Sequence, residues 1–280
     1  MDNTETVGFF RRHEFLIRRL HSLSGLIPVG AYMIVHLLTN SLTSWGVEPF
    51  QTAVYQIHAL GPALLFVEWA FIFGPLIFHA VLDVVIIRTG KSNVGHYGYG
   101  ANWRYTMQRV SGMIAFVFIF AHVFHLHGWF HADIWMKNVV EPLGGGQFKP
   151  YNATSTLAQA FQVSWFIPIL YAFGIIACVF HLANGIWTMG ITWGVWVNPK
   201  AQERAGFACA GLGVLVALFG MVAIVGVQTT DVNEAKKIED RIYEERIKDG
   251  TVLKNDHKRS GHNHDDEVES AQADPQSSQP

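Results

Sequence analysis

Four histidines stand inside strongly apolar stretches of this 280-residue chain. The stretches are YMIVHLLTN, with His36, FGPLIFHAV, with His79, FIFAHVFHL, with His122, and ACVFHLANG, with His181. An imidazole among apolar groups is costly unless its ring nitrogens find partners, so a histidine inside a membrane is a functional residue by default. Four such histidines require one common explanation.

The composition places these histidines in a membrane protein. Hydrophobic residues make up 50% of the chain and charged residues only 15%, which is typical of a protein with several membrane spans. A spanning helix needs roughly 20 mostly apolar residues. Five windows qualify, and none shows the alternation of a strand: 23–42, 60–88, 107–130, 161–190 and 206–227. The sequence therefore predicts an all-α membrane protein, a bundle of five transmembrane helices within residues 20–230.

The basic residues predict which side of the membrane each end faces. Of the twelve Lys and Arg residues before residue 231, only Lys137 and Lys149 lie in the first and third connections between helices. Because cytoplasmic loops carry the excess of Lys and Arg, we expect residues 1–19 to be a cytoplasmic segment and the C-terminus to lie outside.

The last fifty residues have a different character. Residues 231–280 hold 13 of the 22 acidic residues and 8 of the 20 basic ones. We expect a polar tail that begins with a short surface helix, marked by Ile238, Ile242 and Ile247 at near-helical spacing, and is then disordered.

The register of the helices places the four histidines at two depths. Helices one and three run outward, and His36 and His122 follow a Ser-Gly pair by 11 and 10 residues. Helices two and four run inward, and His79 and His181 each lie about nine residues, or roughly 13 Å, before the cytoplasmic end. Two imidazole pairs are expected in a bundle that holds two planar cofactors. Bis-imidazole ligation of two haem irons, roughly 10 Å apart in depth, fits this arrangement best.

Other interpretations stay open from the residues alone. A membrane histidine can simply hydrogen-bond a neighbouring helix. A structural zinc site would need Cys or carboxylate ligands, and the inner pair offers only Asp83, which can instead support an imidazole. In HVFHLHGWFH, His125 is an alternative to His122 as the outer ligand. A metal-binding run at the outer surface is the alternative for the last three histidines of that stretch: His125, His127 and His131.

Four stretches of the chain resemble the cytochrome b558 subunits of succinate dehydrogenase, the five-helix, two-haem membrane anchors of menaquinone-type enzymes. They are RRLHSLSGLIPVGAYMIVHLLTN, GPLIFHAV, NWRYTMQRVSGMIAFVFIFAHV and FHLANGIWTMGITWGVWVNPKAQ. The resemblance extends from about Phe9 to Gln228 and does not cover the tail. It implies that His36 and His122 hold the distal haem and that His79 and His181 hold the proximal one. It therefore favours His122 over His125.

The resemblance also implies a function and partners. Such a subunit passes electrons from a flavoprotein and an iron–sulfur subunit on the cytoplasmic side, through two haem b groups, to a quinone, which we expect to be menaquinone. It would lie among the lipids of a bacterial cytoplasmic (inner) membrane, carry no succinate site of its own and bind no nucleic acid. Fumarate reductases use the same kind of anchor, so both directions of electron flow stay open.

Three further residues are candidates for supporting roles. Quinone reduction takes up protons, and Glu68 is the only carboxylate inside an apolar run of the outer half, about 16 Å from His79 along helix two. We expect Glu68 to transfer protons to the quinone; the alternative is an ordinary interfacial glutamate. His21 and Arg109 are expected to contact haem propionates or the inner surface, since a guanidinium forks onto a carboxylate.

Two rival functions predict different observations. A transporter whose histidines bind a metal ion or relay protons would show no Soret band and would need more polar residues along a path. A dihaem quinone cytochrome of a formate dehydrogenase or hydrogenase would share the haem spectrum but would partner a different enzyme.

Overall fold

The computed structural model describes residues 3–89, 95, 99–130 and 132–261, and within these residues the chain is helical and contains no strand. Five helices are long and apolar enough to cross a membrane. We call them spans one to five: Arg12–Trp45, Ala63–Arg88, Gly100–His127, Phe166–Thr192 and Pro199–Thr229. The all-α, five-span architecture predicted from the sequence is confirmed.

Spans one and two consist of more than one helical segment. Span one joins α1 (Asn3–Ser24) to α2 (Ala31–Ser41) through a π turn at Gly25–Gly30 and ends in a 3₁₀ turn at Leu42–Trp45. After α3 (Val47–His58), span two joins α4 (Ala63–Val67) to α5 (Gly74–Thr89) through a π turn at Glu68–Phe73.

The remaining elements complete the described chain. Span three is α6 (Gly100–His127), followed by α7 (Asp133–Trp135), a π turn at Met136–Val140, a 3₁₀ turn at Pro150–Asn152 and α8 (Ala153–Gln162). Span four is α9 (Phe166–Thr192) and span five is α10 (Pro199–Thr229). The tail contains α11 (Val232–Lys248) and a 3₁₀ turn at Asp256–Lys258.

Prolines accompany both π turns inside the spans. Pro28 lies within the first turn and lacks an N–H, so the carbonyl four residues earlier has no helical donor and the helix widens. The second turn is followed at once by Gly74 and Pro75. Single π turns within α-helices are frequent at functional sites. Here one begins at Gly25 and the other at Glu68.

The apolar windows locate the spans but not their ends. Span one begins at Arg12 and span five at Pro199, well before their windows, because backbone hydrogen bonding continues beyond the apolar layer. The fourth window began at residue 161, which is wrong: Phe161 belongs to α8, and residues 163–165 separate α8 from span four. An apolar run alone does not reveal such a turn.

Spans one, four and five pack around one apolar cluster. Its buried members are Leu37, Ile175, Val179 and Val216. Many large apolar side chains of the spans point outward instead, among them Val35, Phe66 and Val117, each at least 60% exposed. An apolar outer surface of this extent suits lipid rather than water.

Three connecting segments cover one end of the bundle, which we call the capped end. They are residues 46–62 with α3, residues 128–165 with α8, and residues 230–261 with α11. A second apolar cluster, including Phe50, Leu157, Tyr171 and Val227, joins the first two of these segments to spans four and five. The opposite end, which we call the N-terminal end, carries residues 193–198, the end of span two and the beginning of span three.

The tail folds onto the capped end. The side chain of Asp231 caps α11 by accepting hydrogen bonds from the N–H groups of Asn233 and Glu234, both at 2.9 Å. The apolar face of α11 joins a cluster of four buried side chains: Tyr55, Tyr151, Ile242 and Tyr243. Hence α11 is a packed element rather than the surface helix expected from its mixed charges. The stretch for which we expect disorder, residues 260–280, begins too early, because the N–H of Ser260 donates to Oδ1 of Asn152 at 3.0 Å. Residues 262–280 lie outside the described residues.

Candidate functional site

The inner histidines of spans two and four face each other across the bundle. The rings of His79 and His181 have centroids 6.1 Å apart and planes inclined by 82°. Two imidazoles bound on opposite sides of one metal, with metal–nitrogen bonds of about 2.0 Å, have centroids roughly 6 Å apart. The two rings are therefore spaced like two ligands of one metal.

One ring nitrogen of each inner histidine contacts a backbone carbonyl. Nδ1 of His79 lies 3.0 Å from the carbonyl oxygen of His21, and Nδ1 of His181 lies 3.0 Å from that of Gln108. Because a carbonyl oxygen only accepts, each Nδ1 carries the proton and donates it. This arrangement is common in metal-binding histidines. It leaves Nε2 of each ring as the atom that a metal would bind.

Two glycines make room for these rings. A Cβ atom at Gly25 would lie 2.3 Å from Cε1 of His79, and one at Gly112 would lie 2.8 Å from Cε1 of His181. Both distances are shorter than real Cβ contacts, so only glycine fits without moving a ring. In the sequence these glycines served only as depth markers, within their Ser-Gly pairs. The structure shows that each glycine lies directly against the ring of one of these histidines.

A polar network that sequence reasoning missed supports His181. The side-chain amide of Gln108 donates to the carbonyl of His181 at 3.0 Å and accepts from the Asn184 amide at 2.8 Å. Asn184 also accepts from Nε of Arg104 at 3.0 Å and is only 3% exposed. A signal was present, because Asn184 follows His181 by three residues and so lies on the same helix face.

The outer histidines form a second pair. The rings of His36, on span one, and His122, on span three, have centroids 5.9 Å apart and planes inclined by 79°. Nδ1 of His122 is buried and has no hydrogen-bond partner among the described residues. A buried polar atom without a partner is uncommon and requires an explanation such as an absent ligand. The donor set thus fits a second metal held between two imidazoles.

The structure distinguishes His122 from its neighbours in the histidine-rich stretch. Nδ1 of His125 shares a hydrogen bond of 2.8 Å with the hydroxyl of Tyr171, whereas His122 is the ring that faces His36. His131 lies outside the described residues. Among the described residues, no group of three or more potential metal ligands includes a histidine of this stretch.

A third group of potential metal ligands lies beside the inner pair. The ligand atoms of His21, His79 and Asp83 lie within 4.8 Å of one another. The rings of His21 and His79 are stacked, however, with centroids 4.1 Å apart and planes inclined by 6°. Their lone pairs therefore lie in parallel planes and do not converge on one ion, which disfavours zinc. Asp83 instead supports the imidazole of His21, with Oδ1 3.3 Å from Nε2.

A cavity of about 2560 Å³ extends through the bundle, with His79 and His181 on its wall. Sites for ordinary small molecules measure roughly 300–1,000 Å³. The cavity is therefore large enough for a cofactor at the inner pair, whereas His36 and His122 are not on its wall.

The three supporting candidates also line this cavity. His21 and Arg109 lie toward the N-terminal end, where Arg109 donates to the carbonyl of Ile87. Glu68 lies nearer the capped end, half-buried at the start of its π turn. The Glu68 carboxylate is close enough to Tyr32, one turn before His36, for the two to interact electrostatically. Its depth is thus near that of the outer pair.

The two pairs are farther apart in depth than expected. Gly112 marks the level of His181 on span three, and His122 follows it by ten residues, which is about 15 Å of helix. On span one, Gly25 marks the level of His79, and His36 follows it by a similar distance. The smaller value, roughly 10 Å, came from helix ends that the apolar windows placed inaccurately.

Comparison with known proteins identifies a relative along most of the chain. The succinate dehydrogenase cytochrome b558 subunit of Bacillus subtilis (strain 168) is 33% identical over 211 residues, which cover 75% of this chain and 96% of that protein. No protein-family model matches the chain. The relative supports a dehydrogenase anchor over a transporter, and a succinate dehydrogenase over a formate dehydrogenase or hydrogenase.

Proposed function

Because the chain belongs to the family of succinate dehydrogenase cytochrome b558 subunits, we propose that it carries electrons from an iron–sulfur subunit through two b haems to a quinone. The observation that carries this proposal is the presence of two imidazole pairs, with centroids 6.1 and 5.9 Å apart, at two levels of one bundle. Both spacings suit one iron between two ring nitrogens.

We assign the proximal haem to Nε2 of His79 and His181, and the distal haem to His36 and His122. When bound, each haem supplies one-electron transfer between ferric and ferrous iron. The protein orients the proximal ligands through the two backbone carbonyls that accept from their Nδ1 atoms. It makes space for them with the glycines of spans one and three. The assignment of His122 rather than His125 is supported by the bond between His125 and Tyr171.

The N-terminal end is assigned to the cytoplasmic side, where the flavoprotein and iron–sulfur subunits bind. Support comes from the Lys and Arg residues before the mixed-charge tail, ten of which belong to the N-terminal segment and to the second and fourth connections and only two to the first and third. It also comes from the arginines on the cavity wall at this end: Arg18, Arg19 and Arg109. Guanidinium groups bind carboxylates through two parallel hydrogen bonds. Arg109, with His21 beside the proximal pair, is therefore assigned to haem propionates. The membrane is assigned as a bacterial cytoplasmic membrane, and succinate binds on another subunit.

The capped end is assigned to quinone chemistry. A quinone, taken here as menaquinone, becomes a quinol by gaining two electrons and two protons. Glu68 is the carboxylate on the cavity wall near the level of His36. We assign to it the delivery of a proton to the reduced quinone, with the proton replaced from the outer side. Succinate oxidation and fumarate reduction would use the same groups in opposite directions.

Haem content is the first test. The complete complex should contain two b haems for each copy of this chain, measured by pyridine haemochrome analysis against protein concentration. A ratio of one or zero would refute the proposal.

Single histidine variants test the assignment of ligands. His79→Ala and His181→Ala should each remove the same haem, and His36→Ala and His122→Ala should each remove the other. His125→Ala is the matched control, because it changes an imidazole on the same helix and should leave both haems bound. Loss of the distal haem in the control variant would transfer the ligand role to that residue.

A further inference from the structure

The tail has no counterpart in the stretches that resemble the family, yet it packs against the capped end through α11. The match to the relative covers 75% of the chain. Residues 255–261, which we call the strap, are the last described part of the tail and line the cavity from the capped end. The strap therefore adds a wall to the chamber in which we place the quinone.

The strap is held in place by specific contacts. The guanidinium of Arg259 lies 2.7 Å from Oδ1 of Asp240 on α11 and over the ring of Tyr243, 4.4 Å from its centroid. The N–H of Ser260 donates to Oδ1 of Asn152 at 3.0 Å. An ion pair, a ring contact and a backbone hydrogen bond thus hold two consecutive residues of the strap, Arg259 and Ser260. Such a segment can position a side chain reproducibly.

The helix that supports the strap is itself fastened by a buried carboxylate. Glu239 on α11 is fully buried, and its Oε1 accepts from the N–H groups of Thr154 and Ser155 at 2.6 and 3.2 Å. Its Oε2 accepts from the hydroxyl of Ser155 at 2.5 Å. These donors belong to the first turn of α8, where the helix dipole favours an anion. The tail is therefore attached to the bundle through a polar contact that excludes water.

Lys258 is the strap residue whose charge acts on other side chains of the cavity wall. Its ammonium lies 5.5 Å from the centroid of the Tyr151 ring, and its charge acts on both Glu68 and His58. Among the described residues, no carboxylate forms an ion pair with it, unlike Lys254 and Arg259 of the same segment. A half-buried cation held by a ring rather than by an acid remains available to a ligand in the cavity.

His58 lies on the same part of the wall and is also available. Its Nδ1 is buried without a hydrogen-bond partner among the described residues. Burial, assisted by the nearby charge of Lys258, lowers the pKa of His58 to about 4. The imidazole is thus neutral near pH 7 and can donate or accept one hydrogen bond at each nitrogen.

We propose that the strap forms part of the quinone site, with Lys258 as the cation that faces a quinone oxygen and His58 as a hydrogen-bonding partner beside it. The two electrons come from succinate through the chain's haems, and both carbonyls of the quinone become hydroxyls. The protons reach them from Glu68 and from solvent, while Lys258 keeps its own proton. A cation placed where negative charge develops stabilises the reduced quinone before it is protonated. This inference rests on the proposed function and extends it to the tail.

The test compares two lysines of the tail in the complete complex, with 2,3-dimethyl-1,4-naphthoquinone as the electron acceptor. Lys258→Gln should lower kcat/KM for this quinone roughly 10- to 100-fold, the effect of losing one charge-assisted contact. Lys258→Arg, which keeps the charge, should retain most of the activity. Lys254→Gln is the matched control, because Lys254 is 73% exposed, pairs with Asp256 and does not line the cavity.

A binding measurement separates this role from a structural one. The Kd of the oxidised, uncharged quinone, followed through its effect on the haem spectrum, should change much less in Lys258→Gln than kcat/KM does, because charge develops only on reduction. Equal losses in both lysine variants, or no loss in Lys258→Gln, would overturn the role of the strap. If the wild-type complex binds two haems and reduces the quinone, either of these results would leave the proposed function of the chain standing. A wild-type complex that neither binds two haems nor reduces the quinone would overturn the proposed function and the role of the strap together.

Discussion

Replacing Gly25 by alanine should remove the proximal haem and leave the distal one. Intrinsic helix propensity argues for the opposite, since alanine is more favourable than glycine in a helix by about 1 kcal/mol. A loss of haem would therefore have to come from contact with His79. This makes the variant a direct test of the assigned geometry.

The size of the effect follows from the distances. The added Cβ would lie 2.3 Å from Cε1 of His79, whereas carbon atoms pack at about 3.5–4.0 Å. The ring must retreat by more than about 1 Å, although metal–ligand distances tolerate only about 0.2 Å. The ring is also held by the bond from Nδ1 to the carbonyl of His21. Gly112→Ala should act on the same haem through His181 but more weakly, because its overlap is smaller.

The assay is haem content and spectrum in the purified complex, with Gly211→Ala as the control. A Cβ at Gly211, in span five, meets nothing within 4 Å. We expect one haem for each chain in Gly25→Ala, with the distal spectrum retained, and two in Gly211→Ala. Two haems with unchanged spectra and midpoint potentials in Gly25→Ala would refute the reasoning.

Three further predictions concern the surroundings of the site. Asn184→Ala breaks the network beside His181 at a cost of roughly 1–3 kcal/mol and should lower the temperature at which the proximal haem absorbance is lost on heating. Glu239→Ala should expose the tail to limited proteolysis, whereas Glu239→Gln, which keeps an acceptor for the α8 N–H groups, should largely protect it. The folded-state pKa of His58 is about 4, below its ordinary 6.5. The contribution of this residue to the free energy of unfolding is therefore fully present above a pH of about 6.5 and is lost as the pH falls toward 4. The tail should become more protease-sensitive over that range, and less so in His58→Gln.

The pairing of the four histidines could be predicted from the sequence because it depends only on helix register. A helix advances by a fixed rise for each residue, so distances from the Ser-Gly pairs and from the cytoplasmic ends were enough to match His36 with His122 and His79 with His181. The structure brings the same pairs together. Absolute depth was less accurate, since it also depends on where each span ends.

The supporting groups could not be predicted in the same way. The contact between Gln108 and Asn184 joins spans three and four, and the side of each helix that faces the other is set by packing. The position of Lys258 depends on the folding of the tail onto α3 and α8, for which the sequence offered only three isoleucines among mixed charges. Long-range contacts of this kind have no local periodicity to reveal them.

The π turn in span one explains a mismatch between two otherwise equivalent helices. Spans one and three each place a glycine beside a proximal ligand and then a distal ligand farther along, but the spacing is 11 residues from Gly25 to His36 and 10 from Gly112 to His122. In a regular α-helix one extra residue would turn His36 by about 100° away from its partner. A π turn closes its hydrogen bonds one residue later than an α turn, so the turn at Gly25–Gly30 takes up one residue. The proline that widens this turn thus keeps His36 facing His122.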